Sequence, residues 1–231
     1  KLETNINQKI LKDLDNVSIS DSLISKAETI TNFKSLKSDK KLKEVYITND
    51  ITIKKPLILE EEYKLIISSG VKINLEEEGL IVVKGPLIMK GEKLNKIHIN
   101  SSKGGKGILV LNSLKPSFIS NAIFNGLKAN TTSSTNITGG LSFYNSSVEI
   151  HSSEFRASPS EDALNLVRSP FLITNSYFLD IFSDAIDVDF SNGKIQNSTF
   201  KNIGNDAIDI SGAEVSIKDI KINSSGDKAI S

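Results

Sequence analysis

The chain contains no cysteine. A disulfide scaffold and a thiolate zinc site are thereby excluded, and redox chemistry leaves no mark of the compartment. It has no surplus of either charge, since 28 Lys and Arg face 28 Asp and Glu among 231 residues. No global basic field therefore draws it to nucleic acid or to an anionic membrane. No apolar run approaches the length of a membrane span, and no segment has the pattern of a signal peptide. Arginine occurs only at 156 and 168, and histidine only at 98 and 151. Neither nucleic acid nor membrane insertion belongs among the expected partners.

What is present is a moderate apolar content of 38%, enough for a real core in one elongated domain or two small ones. The charges balance overall but not along the chain. Residues 161–231 hold eleven acids against six bases, a net of −5, which leaves +5 for the remainder, mostly lysine. The chain opens at Lys1 and stops at Ala229-Ile230-Ser231, in the middle of a repeat. It is read as part of a longer multidomain chain.

The repeat is the strongest signal. Glu161-Asp162-Ala163-Leu164-Asn165-Leu166, Ser183-Asp184-Ala185-Ile186-Asp187-Val188, Asn205-Asp206-Ala207-Ile208-Asp209-Ile210 and Asp227-Lys228-Ala229-Ile230-Ser231 recur every 22 residues. The same spacing joins Ile173, Ile195 and Ile217; Phe178, Phe200 and Ile222; and Asn175, Asn197 and Asp219. A fixed period of this length is the mark of a solenoid. Upstream, Leu141 and Phe143 precede Leu164 and Leu166 by 23, and Ile150 and Phe155 precede Ile173 and Phe178 by the same interval. Ile119 and Phe124 stand 31 before Ile150 and Phe155, leaving room for an inserted polar loop at 128–139. Earlier still, residues 79–83, 87–89, 97–99 and 107–111 read as short strands punctuated by Gly, Pro, Asn and Ser.

Within each unit the apolar residues alternate, as in Ile186/Val188 and Ile208/Ile210, so the period is two rather than 3.6. Successive coils then pair in parallel about 4.8 Å apart, and each column becomes a ladder along the stack. Ile173 and Phe178 are an odd number of positions apart, so both point inward only if the chain bends between them. Asn175, Asn197 and Asp219 sit where that bend is needed; Asn tolerates the left-handed conformation, and stacked amides can hydrogen-bond up the column. The fold expected is all-β, a right-handed parallel β-helix with coils of about 22 residues over 51–231. Residues 1–50 differ: Leu23, Ala27, Ile30, Ile24 and Phe33 make one face of a short helical segment, with Ser20 and Asp21 as N-caps. That segment reads either as a cap on the open end of the helix or as a linker.

These coils resemble the parallel β-helix repeat proteins, the broad group of pectate lyases, polygalacturonases and carbohydrate-binding relatives. Asp184-Ala185-Ile186-Asp187 and Ile195-Gln196-Asn197-Ser198-Thr199-Phe200 carry the likeness, which spans roughly residues 50–231. A helical lead-in to such coils also resembles the β-helix tails of larger bacterial surface proteins. The resemblance implies export and polysaccharide as a partner, but one fold hosts many functions. The polygalacturonase pattern of Asp-Asp and Gly-His-Gly is missing here. Of a pectate-lyase pattern, with calcium-binding acids and an arginine base, the chain offers only Arg168, one coil from Asp189.

If Ile186 and Val188 face inward, Ser142, Asn165, Asp187, Asp209 and Ser231 form an outward column, with Tyr144, Val167, Asp189 and Ser211 beside it. Asp187 and Asp209 then stand about 5 Å apart, close enough to need a proton, a lysine or a cation between them. Three readings are open. Asp184 and Asp206 are corner residues accepting turn amides while Asp187 and Asp209 are solvated; or Asp187, Asp189 and Asp209 hold calcium; or Asp187 and Asp209, with Arg168 nearby, are an acid/base pair for glycan cleavage. Tyr144 and Tyr177 are candidate stacking platforms for sugar rings, with Asn165 as a polar contact. His98 and His151 are outward strand residues. The expected function is a non-catalytic polysaccharide-binding or spacer domain of an exported bacterial protein, secreted, periplasmic or on the cell surface. A polysaccharide lyase or glycoside hydrolase and a purely structural stem are the alternatives.

Overall fold

Alternating apolar residues in short runs, separated by corner residues, build a parallel β-solenoid of about eight coils. The computed structural model describes Ile24, Ala27, Phe33, residues 36–130 and residues 137–231. Sheet A stacks Leu57–Leu59, Ile81–Val83, Ile108–Leu111, Gly139–Tyr144, Asp162–Val167, Asp184–Asp189 and Ile208–Ser211. Sheet B runs from Leu36–Asp39 and Glu44–Ile47 to Val215–Lys218, and sheet C from Ile51–Ile53 to Lys221–Ser225. Among the described residues the strands of successive coils pair in parallel; Leu36–Asp39 runs antiparallel at the outer edge of sheet B, and an isolated antiparallel bridge joins Glu92 to Asn95. Glu44–Ile47 already pairs with the next coil, so the stack starts upstream of residue 51. Leu23, Ile30 and the caps Ser20 and Asp21 lie outside the described residues. Of that expected helical face, Ala27 donates its N–H to the Ile24 carbonyl at 3.1 Å, and Phe33 is buried against the core.

The inward columns are those the period dictates. In sheet A, Leu164 pairs with Ile186 and Ile186 with Ile208, and all three are buried. In sheet C, Phe124, Phe155, Phe178 and Phe200 stack ring on ring at 4.9, 4.6 and 4.9 Å. Such contacts add about 0.5–1.5 kcal/mol each beyond the area they bury. The bend between Ile173 and Phe178 is where the odd interval demands it: Asn175, Asn197 and Asp219 have φ of 51°, 50° and 53°.

The amide ladder is found at a different corner. Asn145 donates to Asn112 Oδ1 at 2.8 Å between sheets A and B, whereas the Asn175 amide reaches its own neighbour, Thr174. Serines knit the Asn175 corner instead. The Oγ atoms of Ser176 and Ser198 accept the N–H groups of Ser153 and Ser176, at 3.3 and 3.2 Å. A matching series links Ser146, Ser169 and Ser191 at 3.0 and 2.8 Å. These hydroxyls satisfy buried amides that the curving strands leave without a carbonyl.

Candidate functional site

Sheet A carries the site on its outer face because the repeat places one polar position between the two inward ones. Register puts Ser142 beside Asn165, Asn165 beside Asp187 and Asp187 beside Asp209. The second column runs Tyr144, Val167, Asp189, Ser211. Both columns are therefore in the order the sequence dictates.

Their exposure is another matter. Tyr144, expected as a stacking platform, is only 4% exposed. It packs with Leu109, Leu111, Val167 and Ile137 in a second apolar cluster on the outside of sheet A. Ile137 comes from the insertion at 128–139, so a segment read as a polar loop contributes to the cover over this face. Asn165 is 1% exposed and is not available as a sugar contact. The incoming strand crowds it: a Cβ on Gly139 would lie 2.6 Å from Asn165 Cβ and from Ser142 Oγ. Tyr177, on the outside of sheet C, is 48% exposed, as a platform requires.

The buried amide of Asn165 bridges two carboxylates. Its Nδ2 donates to Asp162 Oδ2 at 3.1 Å and to Asp187 Oδ2 at 2.7 Å. Both N–H groups go to acids, and Oδ1 is left enclosed with no hydrogen-bond partner among the described residues. Burial, then the Asp184 and Glu161 charges nearby, push the Asp162 carboxyl up to about 7. Burial and then the neighbouring Asp162, Asp189 and Asp209 push Asp187 up to about 8. Asp189 is raised by burial and by Asp209. Burial and the same acids raise the Tyr144 hydroxyl above its ordinary range. Burial and mutual repulsion thus make the Asp162, Asp187 and Asp189 carboxyls of this face weaker acids than usual.

Asp184 and Asp206 are the corner acceptors foreseen. Asp184 Oδ1 takes the Asp206 N–H at 2.8 Å, and Asp206 Oδ1 takes the Lys228 N–H at 2.7 Å. The calcium set does not assemble. Asp187 turns toward Asn165, Asp209 accepts the Ser231 hydroxyl at 3.1 Å on its other side, and Asp189 lies two residues along. Among the described residues no group of three or more His, Cys, Asp and Glu is placed to hold a metal ion. Arg168 adopts φ 47° at the corner and donates Nε to Asn145 Oδ1 at 2.7 Å, which directs it along the corner column. His98 and His151 are outward and half-buried; His151 Nδ1 meets Thr174 Oγ1 at 2.7 Å.

The face is flat. A cleft of about 680 Å³ lies elsewhere, beside Leu42, Pro86, Leu111 and Leu114, and does not include the acids. Phe182 and Phe190, at the two corners that bound Asp184–Asp189, are 75% and 44% exposed. Sequence reading passed over both, although an aromatic on each side of the repeated Asp-Ala-Ile-Asp motif was there to be seen. No family model matches the chain, and no curated protein or solved structure matches it either.

Proposed function

We propose that this chain is a non-catalytic, polysaccharide-binding rod of an exported bacterial protein. The observation that carries it is the outer side of the last coils of sheet A, where Asp187, Asp189, Asp209 and Ser211 stand in register, half-buried to exposed, on strands whose chain neighbours Phe182 and Phe190 are exposed. A flat face in continuous register suits a long polymer; small ligands are held in concave sites. The absence of convergence supports the non-catalytic part. Cleavage needs nucleophile, base and stabilising donors within a few ångströms of one point, and here Asp187, Asp209 and Arg168 each turn to a different neighbour.

One observation favours a glycoside hydrolase as the second reading. Asp187 keeps its proton at neutral pH and stands beside Asp209, one coil away, as a general acid beside its partner would. Incubation with a panel of neutral and uronate polysaccharides separates the two. Binding without release of reducing ends or of ultraviolet-absorbing unsaturated products is the expected result. Oligosaccharide release that Asp187→Asn or Asp209→Asn suppresses, with the fold intact, would establish the enzyme instead. A chain that binds no glycan on an array is a structural stem.

A further inference from the structure

The strand Asp184–Asp189, which carries Asp187 and Asp189, has an exposed phenylalanine at each of the corners that bound it, Phe182 and Phe190. Phe182 directly follows the sheet C strand Tyr177–Ile181 and stands two residues before Asp184–Asp189; Phe190 follows that strand at once. Large aromatic side chains are normally hidden, and 75% and 44% exposure leaves most of one ring and much of the other in water. Nor is Phe190 loosely placed. It takes φ 50° at the corner, and its ring lies across Gly212 of the next coil, where a Cβ would come within 2.8 Å of a ring carbon. Glycine at 212 thus makes room for a ring that the coil then holds facing outward.

Between the rings stand Asp187 and Asp189, with Asp209 and Ser211 on the adjoining coil. The strand between the two phenylalanines, Asp184–Asp189, has six residues at about 3.3 Å each and spans about 20 Å, the length of several sugar rings of an extended chain. Residues 161–231 carry a net charge of −5. The arginine nearest to the acids is engaged with Asn145, and Lys228 is paired with Asp227 at 3.4 Å. Even with the Asp162 and Asp187 carboxyls protonated, nine acids face six bases over residues 161–231, so a chain of uronates would bring like charge to like charge. A neutral chain would instead offer hydroxyl donors to carboxyl oxygens and the C–H faces of its rings to the two phenyl rings.

We propose that the ligand of this flank is an uncharged polysaccharide, with sugar rings stacked on Phe182 and Phe190 and hydroxyls bonded to Asp187, Asp189 and Asp209 between them. This rests on the polysaccharide-binding reading and adds to it a site and a ligand class. Affinity electrophoresis of the chain through gels containing hydroxyethylcellulose, galactomannan or polygalacturonate tests it. The wild type is expected to be retarded by a neutral polymer and not by polygalacturonate. Phe182→Ala and Phe190→Ala should each weaken that retention by about tenfold, while Phe190→Trp retains it and the melting temperature of Phe182→Ala is unchanged. Retardation by polygalacturonate alone would overturn the uncharged ligand but keep the general reading. Retention by a neutral polymer that neither alanine variant weakens would place the ligand elsewhere. No retardation by any polymer would remove the polysaccharide reading as well.

Discussion

At the scale of single residues, Asp162 carries the most deeply buried carboxyl among the described residues. It is 2% exposed, is flanked by Asp184 and Glu161, and has the Asn165 amide as one of its compensating donors. Its carboxyl is raised in the folded chain from an ordinary 3.8 to about 7, so the folded state binds this proton more tightly than the unfolded state does. The stabilisation is complete below pH about 4 and is lost as pH rises through about 7. Its full size is of the order of a few kcal/mol. Asp162→Asn keeps the volume and removes the titration. Denaturation midpoints taken from pH 5 to pH 9 should therefore fall for the wild type and fall distinctly less for the variant. Parallel curves would show that Asp162 is not buried as described.

At the scale of the element, each corner and ladder has its own chemistry, and two of them give sharp expectations. The Ser176 hydroxyl accepts the buried Ser153 N–H and returns a bond to the Thr174 carbonyl at 3.0 Å. Ser176→Ala strands that amide, and chemical denaturation should show a loss of about 1–3 kcal/mol. Phe178 has an aromatic neighbour on both sides, at 4.6 and 4.9 Å. Phe178→Ala opens a cavity between two coils and should lose about 3–5 kcal/mol in the same measurement, more than the serine change. If the alanine at 178 cost no more than the one at 176, the phenyl column would not be a packed core.

Much of this scale was legible in the sequence, because a 22-residue period fixes which residues meet. The columns through Ile173, Phe178 and Asp187 and the left-handed corner at Asn175 followed from spacing and parity alone. The burial of the outer face did not, because it depends on a segment outside the repeat. The trace it left was faint: Ile108–Leu111 and Ile81–Val83 are apolar at every position, the pattern of a strand covered on both sides. Read that way, the apolar Leu109 and Leu111 would have placed Tyr144, one coil on, under cover as well. The serine ladders were visible as 22- and 23-residue spacings, but Ser ordinarily reads as turn punctuation, which hid their role as acceptors for buried amides.

At the scale of the whole molecule, the solenoid changes character along its length. Over the earlier coils the outside of sheet A is apolar and covered, through Leu80, Val82, Leu109 and Leu111. From Asp187 onward it is acidic and half-buried to exposed, and the exposed side chains of Phe182 and Phe190 stand on the same coil as Asp187. The proposed binding flank therefore lies at one defined height along the stack. That flank exists only if Asp187 and Asp209 stand side by side on adjacent coils, as their pairing has them. The chain has no cysteine of its own, so pairs introduced by substitution report distance without interference. Partners on neighbouring parallel strands are about 4.8 Å apart, within reach of a disulfide, whereas positions two coils apart are at about twice that and out of reach. Mild oxidation followed by intact-mass measurement is expected to show a cross-link in the Asp187→Cys/Asp209→Cys variant and none in the Asp187→Cys/Ser231→Cys variant. A cross-link in the second pair but not in the first would contradict the stacked register on which the binding flank depends.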